Sequence, residues 1–227
     1  KKEPIPDCYE HTEIITNGPI VVPTWDQEHP YNSELPTITC PDSTHHCFVG
    51  CVPLAMAMVM RYHEHPMSYS WSSMPYTYGT STTAAFIEDI HDEIKYVTYN
   101  QQPDYQCDGT GVNYNVELIM KSSPFNYTSA TYTSFNHSSI KNDIVYDRPV
   151  IIYGEDEYDP DDKHTWVCNG YKEYIYYDDD CNSWSSMSYH MVWGNGTVDN
   201  GWYNYGSFNA GGYYLNENLN MIYNINP

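Results

Sequence analysis

At 227 residues the chain can bury a core without depending on metals or crosslinks, and its size suits one large domain or two small lobes. Its 30 Asp and Glu against 9 Lys and Arg leave a net charge of −21, which repels phosphate backbones and anionic lipid and argues against nucleic acid as a partner. The longest apolar run, Cys51 to Met60, is about half of the 18 or so residues that a membrane span needs and is interrupted by a proline, so no span is expected.

The chain opens at Lys1 on a polar, Pro-containing stretch without an apolar signal region, so any signal peptide or pro-segment is expected outside this sequence. Residues 1–50 carry many prolines and few periodic apolar positions, and read as an extended, surface-wrapping segment. From Cys51 to Tyr62 the run CVPLAMAMVMRY predicts a helix that is apolar on nearly all sides and therefore buried, with Pro53 in its first turn and Pro66 beyond its end. Residues 84–96 and 111–122 predict two amphipathic helices, with Phe86, Ile87, Ile90 and Ile94 on one face of the first. After residue 125, short β-branched and aromatic runs at 127–135, 148–155, 164–171, 173–178, 188–194, 202–208 and 218–225 are divided by Gly, Asn and Asp clusters and predict an antiparallel sheet. Helices followed by strands predict an α+β fold. It is read as a single domain over 1–227, with a helical lobe (1–125) and a sheet lobe (126–227) facing each other across a cleft.

The cysteines are Cys8, Cys40, Cys47, Cys51, Cys107, Cys168 and Cys181, an odd number; in an exported protein up to three pairs can form and one thiol is left over. Cys51 follows Gly50 at the start of the buried helix, where unpaired N–H groups and the helix dipole favour a thiolate and Gly50 leaves room for a substrate backbone. The alternative is a small core residue or half of a disulfide. His164 opens the run HTWVCNG, whose alternation predicts a strand from which the ring can project, although a lone His at a strand start is ordinarily a surface residue.

Cys40, His45, His46 and Cys47 match no usual zinc spacing, and a Cys40–Cys47 disulfide is the expectation there. His63 and His65 lie two apart, cannot share a helix face, and are expected to be structural. Glu155, Asp156, Glu157, Asp159, Asp161 and Asp162 precede His164. If 164–170 and 173–177 form a hairpin, Asp178, Asp179 and Asp180 return to the same end. Two solvated loops are then expected, with calcium near Asp159, Asp161 and Asp179, or a basic substrate side chain, as the alternatives.

In chain order, PTWDQEHPYN (23–32), GCVPLAMAMVMRYHEHP (50–66), DRPVIIYGE (147–155), KHTWVCNGY (163–171) and SYHMVWGNGTVDNGWY (188–203) resemble the successive motifs of the streptopain family of papain-like cysteine peptidases, and the resemblance covers nearly the whole chain. It implies a papain-like two-lobed fold and a secreted endopeptidase, made as a zymogen with an inhibitory pro-segment outside this chain, acting on protein or peptide substrates without a cofactor or metal. In that family's pattern Cys51 attacks the scissile carbonyl through a thioester, His164 protonates the leaving amine, Gln27 supplies an oxyanion-hole amide, and Trp193 shields the imidazole. The sequence departs from the pattern at Val192, where the family usually has the Asn that orients the imidazole, and at Asn195, which replaces a second tryptophan. Val192 therefore predicts weakened catalysis, and keeps open a weak or inactive homologue that binds peptides or a surface partner. A thiol hydrolase acting on another amide is the third reading.

Overall fold

A helix made almost entirely of Leu, Ala, Met and Val has to be enclosed on all sides. The computed structural model of the protein describes residues 8–97, 103–107, 109–111 and 116–227. In it α1 (Cys51–His63) is buried from Pro53 to Arg61. The helix stops where Glu64 enters the left-handed region at φ 51°, and the N–H groups of Glu64 and His65 close on the carbonyls of Arg61 and Met60. Against it lies α2 (Ser81–Val97), which buries Phe86, Ile87, Ile90 and Ile94 as its periodicity predicts. The helix expected over 111–122 is shorter: α3 spans Val116–Lys121, Gly111 pairs with Asp104 in a small hairpin, and residues 112–115 lie outside the described residues.

Among the described residues seven strands form one antiparallel sheet: β1 (His11–Asn17), β2 (Ser129–Ser134), β3 (Val150–Glu155), β4 (Lys163–Tyr177), β5 (Ser183–Val192), β6 (Gly201–Asn204) and β7 (Glu217–Asn226). Their order is β6-β5-β4-β3-β7-β2, and β1 pairs with the far half of β4, beyond the end of β3. The α1 helix packs on β3 and β4, so its N-terminus comes to the sheet end where β4 begins.

Three expectations are corrected here. The runs 164–170 and 173–177 are not a hairpin but one continuous strand, β4. Gly170 is required by a close approach rather than a turn, because a Cβ there would sit 3.1 Å from Pro19 Cα and 3.2 Å from the Asn17 carbonyl. Asp178–Asp180 therefore lie at the opposite end of β4 from Asp159 and Asp161, on the order of 40 Å away at strand rise, so Asp179 cannot share a calcium with them. Asp178 instead organises its own turn, accepting from the N–H groups of Asp180 and Asn182.

The second correction concerns the cysteines. Cys40 pairs with Cys107 and Cys8 with Cys181, while Cys47, Cys51 and Cys168 are free. The third is a helix within the strand-rich half, α4 (His137–Val145), capped by Asn136, whose side chain accepts from the Ser139 N–H at 2.9 Å. It buries Ile140, Asp143 and Ile144, and Asp143 is held by Arg148 Nη2 at 2.6 Å. With β1 drawn from the Pro-rich opening segment and α4 from the second half, chain is exchanged across the division expected at residue 125.

Candidate active site

Gly50 and Cys51 make the turn into α1. Gly50 has φ 86°, and a Cβ there would fall 2.8 Å from the Thr110 carbonyl, so glycine is required twice over. The space it leaves is filled by Thr110, not held open for a substrate. Cys51 is the first helical residue, and its side chain is partly exposed in a cleft of about 560 Å³ that also receives Gln27, His164 and Trp193.

His164 comes from the start of β4, where it pairs with Gly154 of β3. Its imidazole hydrogen-bonds the Cys51 thiol, joining two residues far apart in sequence. Burial alone raises the Cys51 pKa. The hydrogen bond and charge of His164, followed by hydrogen bonds from Thr165, outweigh it and leave the thiol below its ordinary value. For His164 burial favours the neutral ring, but the Cys51 partner and the Trp193 carbonyl outweigh it and raise the pKa. Opposite shifts on adjacent groups favour a thiolate–imidazolium pair.

The ring is oriented from behind. His164 Nε2 lies 2.7 Å from the Trp193 carbonyl, which can only accept, so Nε2 carries a proton and Nδ1 is left to face the thiol. The indoles of Trp166 and Trp193 lie together, 4.7 Å apart, on one side of the imidazole, at centroid distances of 6.2 and 6.1 Å from it. Trp193 is in turn fixed through its main-chain N–H, which donates to Asn200 Oδ1 at 2.9 Å, and Asn200 Nδ2 donates to the Gly196 carbonyl at 2.9 Å. Val192 is buried in β5 opposite Val167 and has no part in this. Asn195 is exposed on the cleft rim.

One loop joins the two sides. Gln27 O accepts from the Val49 N–H at 3.0 Å, next to the Gly50 turn, and Trp25 O accepts from the Gly196 N–H at 3.0 Å in the Trp193 loop. Asp26 Oδ1 accepts from the Gln27 N–H at 2.6 Å. The tight 25–28 segment thus places Gln27 at the cleft. Trp25 is wholly buried and anchors it by donating from Nε1 to the Pro75 carbonyl at 2.7 Å.

Asp161 lines the same cleft, whereas the histidine and Cys40 candidates are engaged elsewhere. His45 Nδ1 and His46 Nδ1 meet the carbonyls of His46 and Leu35, and Cys40 is in a disulfide. His63 contacts Tyr127 Oη and is pushed down to about 4, first by burial and then by His65. Three contributors escaped the sequence reading: Thr165, Asn200 and the Trp193 carbonyl. Thr165 follows His164 directly, yet nothing in the alternation of β4 marks its hydroxyl as a donor to sulfur. A main-chain acceptor leaves no trace in residue type.

A thiol paired with an imidazole at a helix N-terminus, backed by an antiparallel sheet, is the arrangement that papain-like cysteine peptidases use. Residues 25–69 match the model of the Peptidase C10 family. The thiol protease/hemagglutinin PrtT of Porphyromonas gingivalis is 22% identical over 234 residues; the match takes in 87% of this chain and 24% of that protein, so the chain spans about a quarter of the length of this curated relative. The active wild-type interpain A cysteine protease of Prevotella intermedia superposes with a TM-score of 0.69 at 18% identity, over 91% of this chain and 94% of that one. A prointerpain A fragment from the same organism gives 0.64, also at 18% identity, over 93% and 73%. The match to the C10 peptidase family lies in residues 25–69, and the chain as a whole has the papain-like α+β fold of the interpain A structures.

Proposed function

We propose that the chain is the catalytic domain of a secreted endopeptidase in which Cys51 and His164 hydrolyse peptide bonds. The observation that carries this reading is the hydrogen-bonded pair at the α1 N-terminus, with the thiol pKa lowered and the imidazole pKa raised. The thiolate attacks the scissile carbonyl carbon, and the oxyanion is met by the Cys51 N–H and the Gln27 side-chain amide. His164 passes its Nδ1 proton to the leaving amine as the C–N bond breaks, leaving a thioester. Water then attacks that thioester with His164 as base, the acid departs and the ion pair is restored. Trp166 and Trp193 keep bulk water from the imidazole.

The two disulfides support export to an oxidising compartment. No helix among the described residues is long and apolar enough to cross a membrane. The likeness to a prointerpain A fragment supports an inhibitory pro-segment outside this sequence. The Trp193 carbonyl favours the active reading over a non-catalytic peptide binder, because it supplies the acceptor that Val192 lacks. Incubation with a mixed fluorogenic peptide library tests the proposal. Hydrolysis that disappears in Cys51→Ala is expected; a folded parent protein that cleaves no peptide but binds them would favour the binder.

A further inference from the structure

The cleft that holds Cys51 carries a one-sided charge. Among the described residues Asp26, Glu28, Asp161, Asp162 and Asp199 line it, against Lys163 and the His164 imidazole. Lys163 Nζ lies 3.9 Å from Glu155 Oε1, so part of its charge is already matched. Asp26 and Asp199 spend one carboxylate oxygen each on backbone N–H groups. Glu28, Asp161 and Asp162 are exposed and have neither a side-chain hydrogen bond nor an ion pair among the described residues. These three come from two separate loops, one beside Gln27 and one leading into His164, so unmatched negative charge enters the cleft from both.

The same walls present apolar surface. Val198 is 54% and Tyr213 47% exposed, and both line the cleft. Carboxylates beside an aliphatic and an aromatic face suit a side chain with an apolar stem and a cationic head. Among the described residues no three His, Cys, Asp or Glu side chains gather closely enough to hold a metal ion.

Resting on the peptidase reading above, we infer that the cleft selects peptides carrying Lys or Arg beside the scissile bond and rejects those carrying Asp or Glu, with Glu28, Asp161 and Asp162 as the specificity-determining residues. Low-dielectric walls focus the field of these groups, and the net charge of −21 reinforces it at long range.

The test uses matched fluorogenic peptides that differ at one position as Lys, Gln or Glu. At low ionic strength kcat/KM for the Lys peptide should exceed that for the Glu peptide by about tenfold or more, and the ratio should shrink at high salt. Asp161→Asn with Asp162→Asn should lower the ratio several-fold. Asp179→Asn with Asp180→Asn changes net charge equally at the far end of β4 and should leave the ratio in place. Equal turnover of Lys and Glu peptides by active protein would overturn the inference and leave the peptidase reading standing. If no peptide is cleaved, the peptidase reading fails, and Cys51 modification by cationic and anionic methanethiosulfonates decides the cleft's selectivity. Faster cationic labelling that is lost in the Asp161/Asp162 variant supports it, and equal labelling overturns it.

Discussion

At the scale of single residues, the site turns on one main-chain atom. The sequence pattern makes Val192 a deficit, since a valine cannot accept a hydrogen bond from an imidazole. The structure meets that need with the next residue's carbonyl, at 2.7 Å from His164 Nε2. Val192→Asn is therefore expected to give no gain in turnover. Val192 is 2% exposed, and placing an amide there without partners should cost about 1–3 kcal/mol of stability in urea unfolding. A clear rise in turnover would show that the carbonyl orients the ring poorly. Asn200 is a positioning residue in the same chain of contacts. Removing its side chain in Asn200→Ala frees both the Trp193 N–H and the Gly196 carbonyl, and should lower kcat/KM roughly two- to tenfold. A purely structural role would leave the pH profile of Cys51 alkylation unmoved, whereas a positioning role shifts its acid limb upward as the thiolate loses imidazolium support.

At the scale of elements, the Cys40–Cys107 disulfide ties the small hairpin of Thr37–Thr39 and Thr44–His46 to the hairpin whose Thr110 packs on Gly50. It closes 67 residues of sequence separation, for which chain entropy predicts roughly 4 kcal/mol of stabilisation. A Cys40→Ser, Cys107→Ser variant should lose an amount of that order in urea. A loss far smaller would mean that the hairpin is held by packing alone. This bridge also shows where sequence reading stops. The α1 helix is legible because a run of Met, Ala and Leu can only be buried, and His164 because a strand alternates around it. Cys40 reads as a partner for Cys47 because closeness in sequence is the only closeness a sequence displays. Tertiary folding brings Cys107 nearer. Gly170 reads as a turn for a similar reason, since the approach of Asn17 and Pro19 that demands a glycine there is non-local. The α4 helix is masked by its polar surface, although Asn136 followed by Ile140 and Ile144 is a capped i, i+4 pattern that could have revealed it.

At the scale of the whole molecule, the site exists only because separate parts of the chain meet. The helix supplies the thiol, the sheet supplies the imidazole with its acceptor, and the 25–28 loop bonds to both sides. The protein retains three free thiols, and the structure ranks their reactivity. Burial pushes Cys168 up to about 12 and also raises Cys47, while His164 and Thr165 bring Cys51 below its ordinary value despite burial. A lowered thiol pKa keeps the thiolate as pH falls below the usual thiol range, until pH passes through the lowered value. A raised imidazole pKa keeps the imidazolium as pH rises above the usual histidine range. The two shifts move the thiolate range down and the imidazolium range up, towards each other, so the pair is favoured, and it is lost on the acid side with the thiolate and on the alkaline side with the imidazolium. Brief iodoacetamide treatment across this range, followed by peptide mapping, is the most direct measurement of the account. It predicts rapid labelling of Cys51 at neutral pH, a steep loss of that labelling in His164→Ala, and little modification of Cys47 or Cys168. Preferential labelling of Cys47 or Cys168, or a Cys51 whose reactivity at neutral pH does not depend on His164, would contradict it.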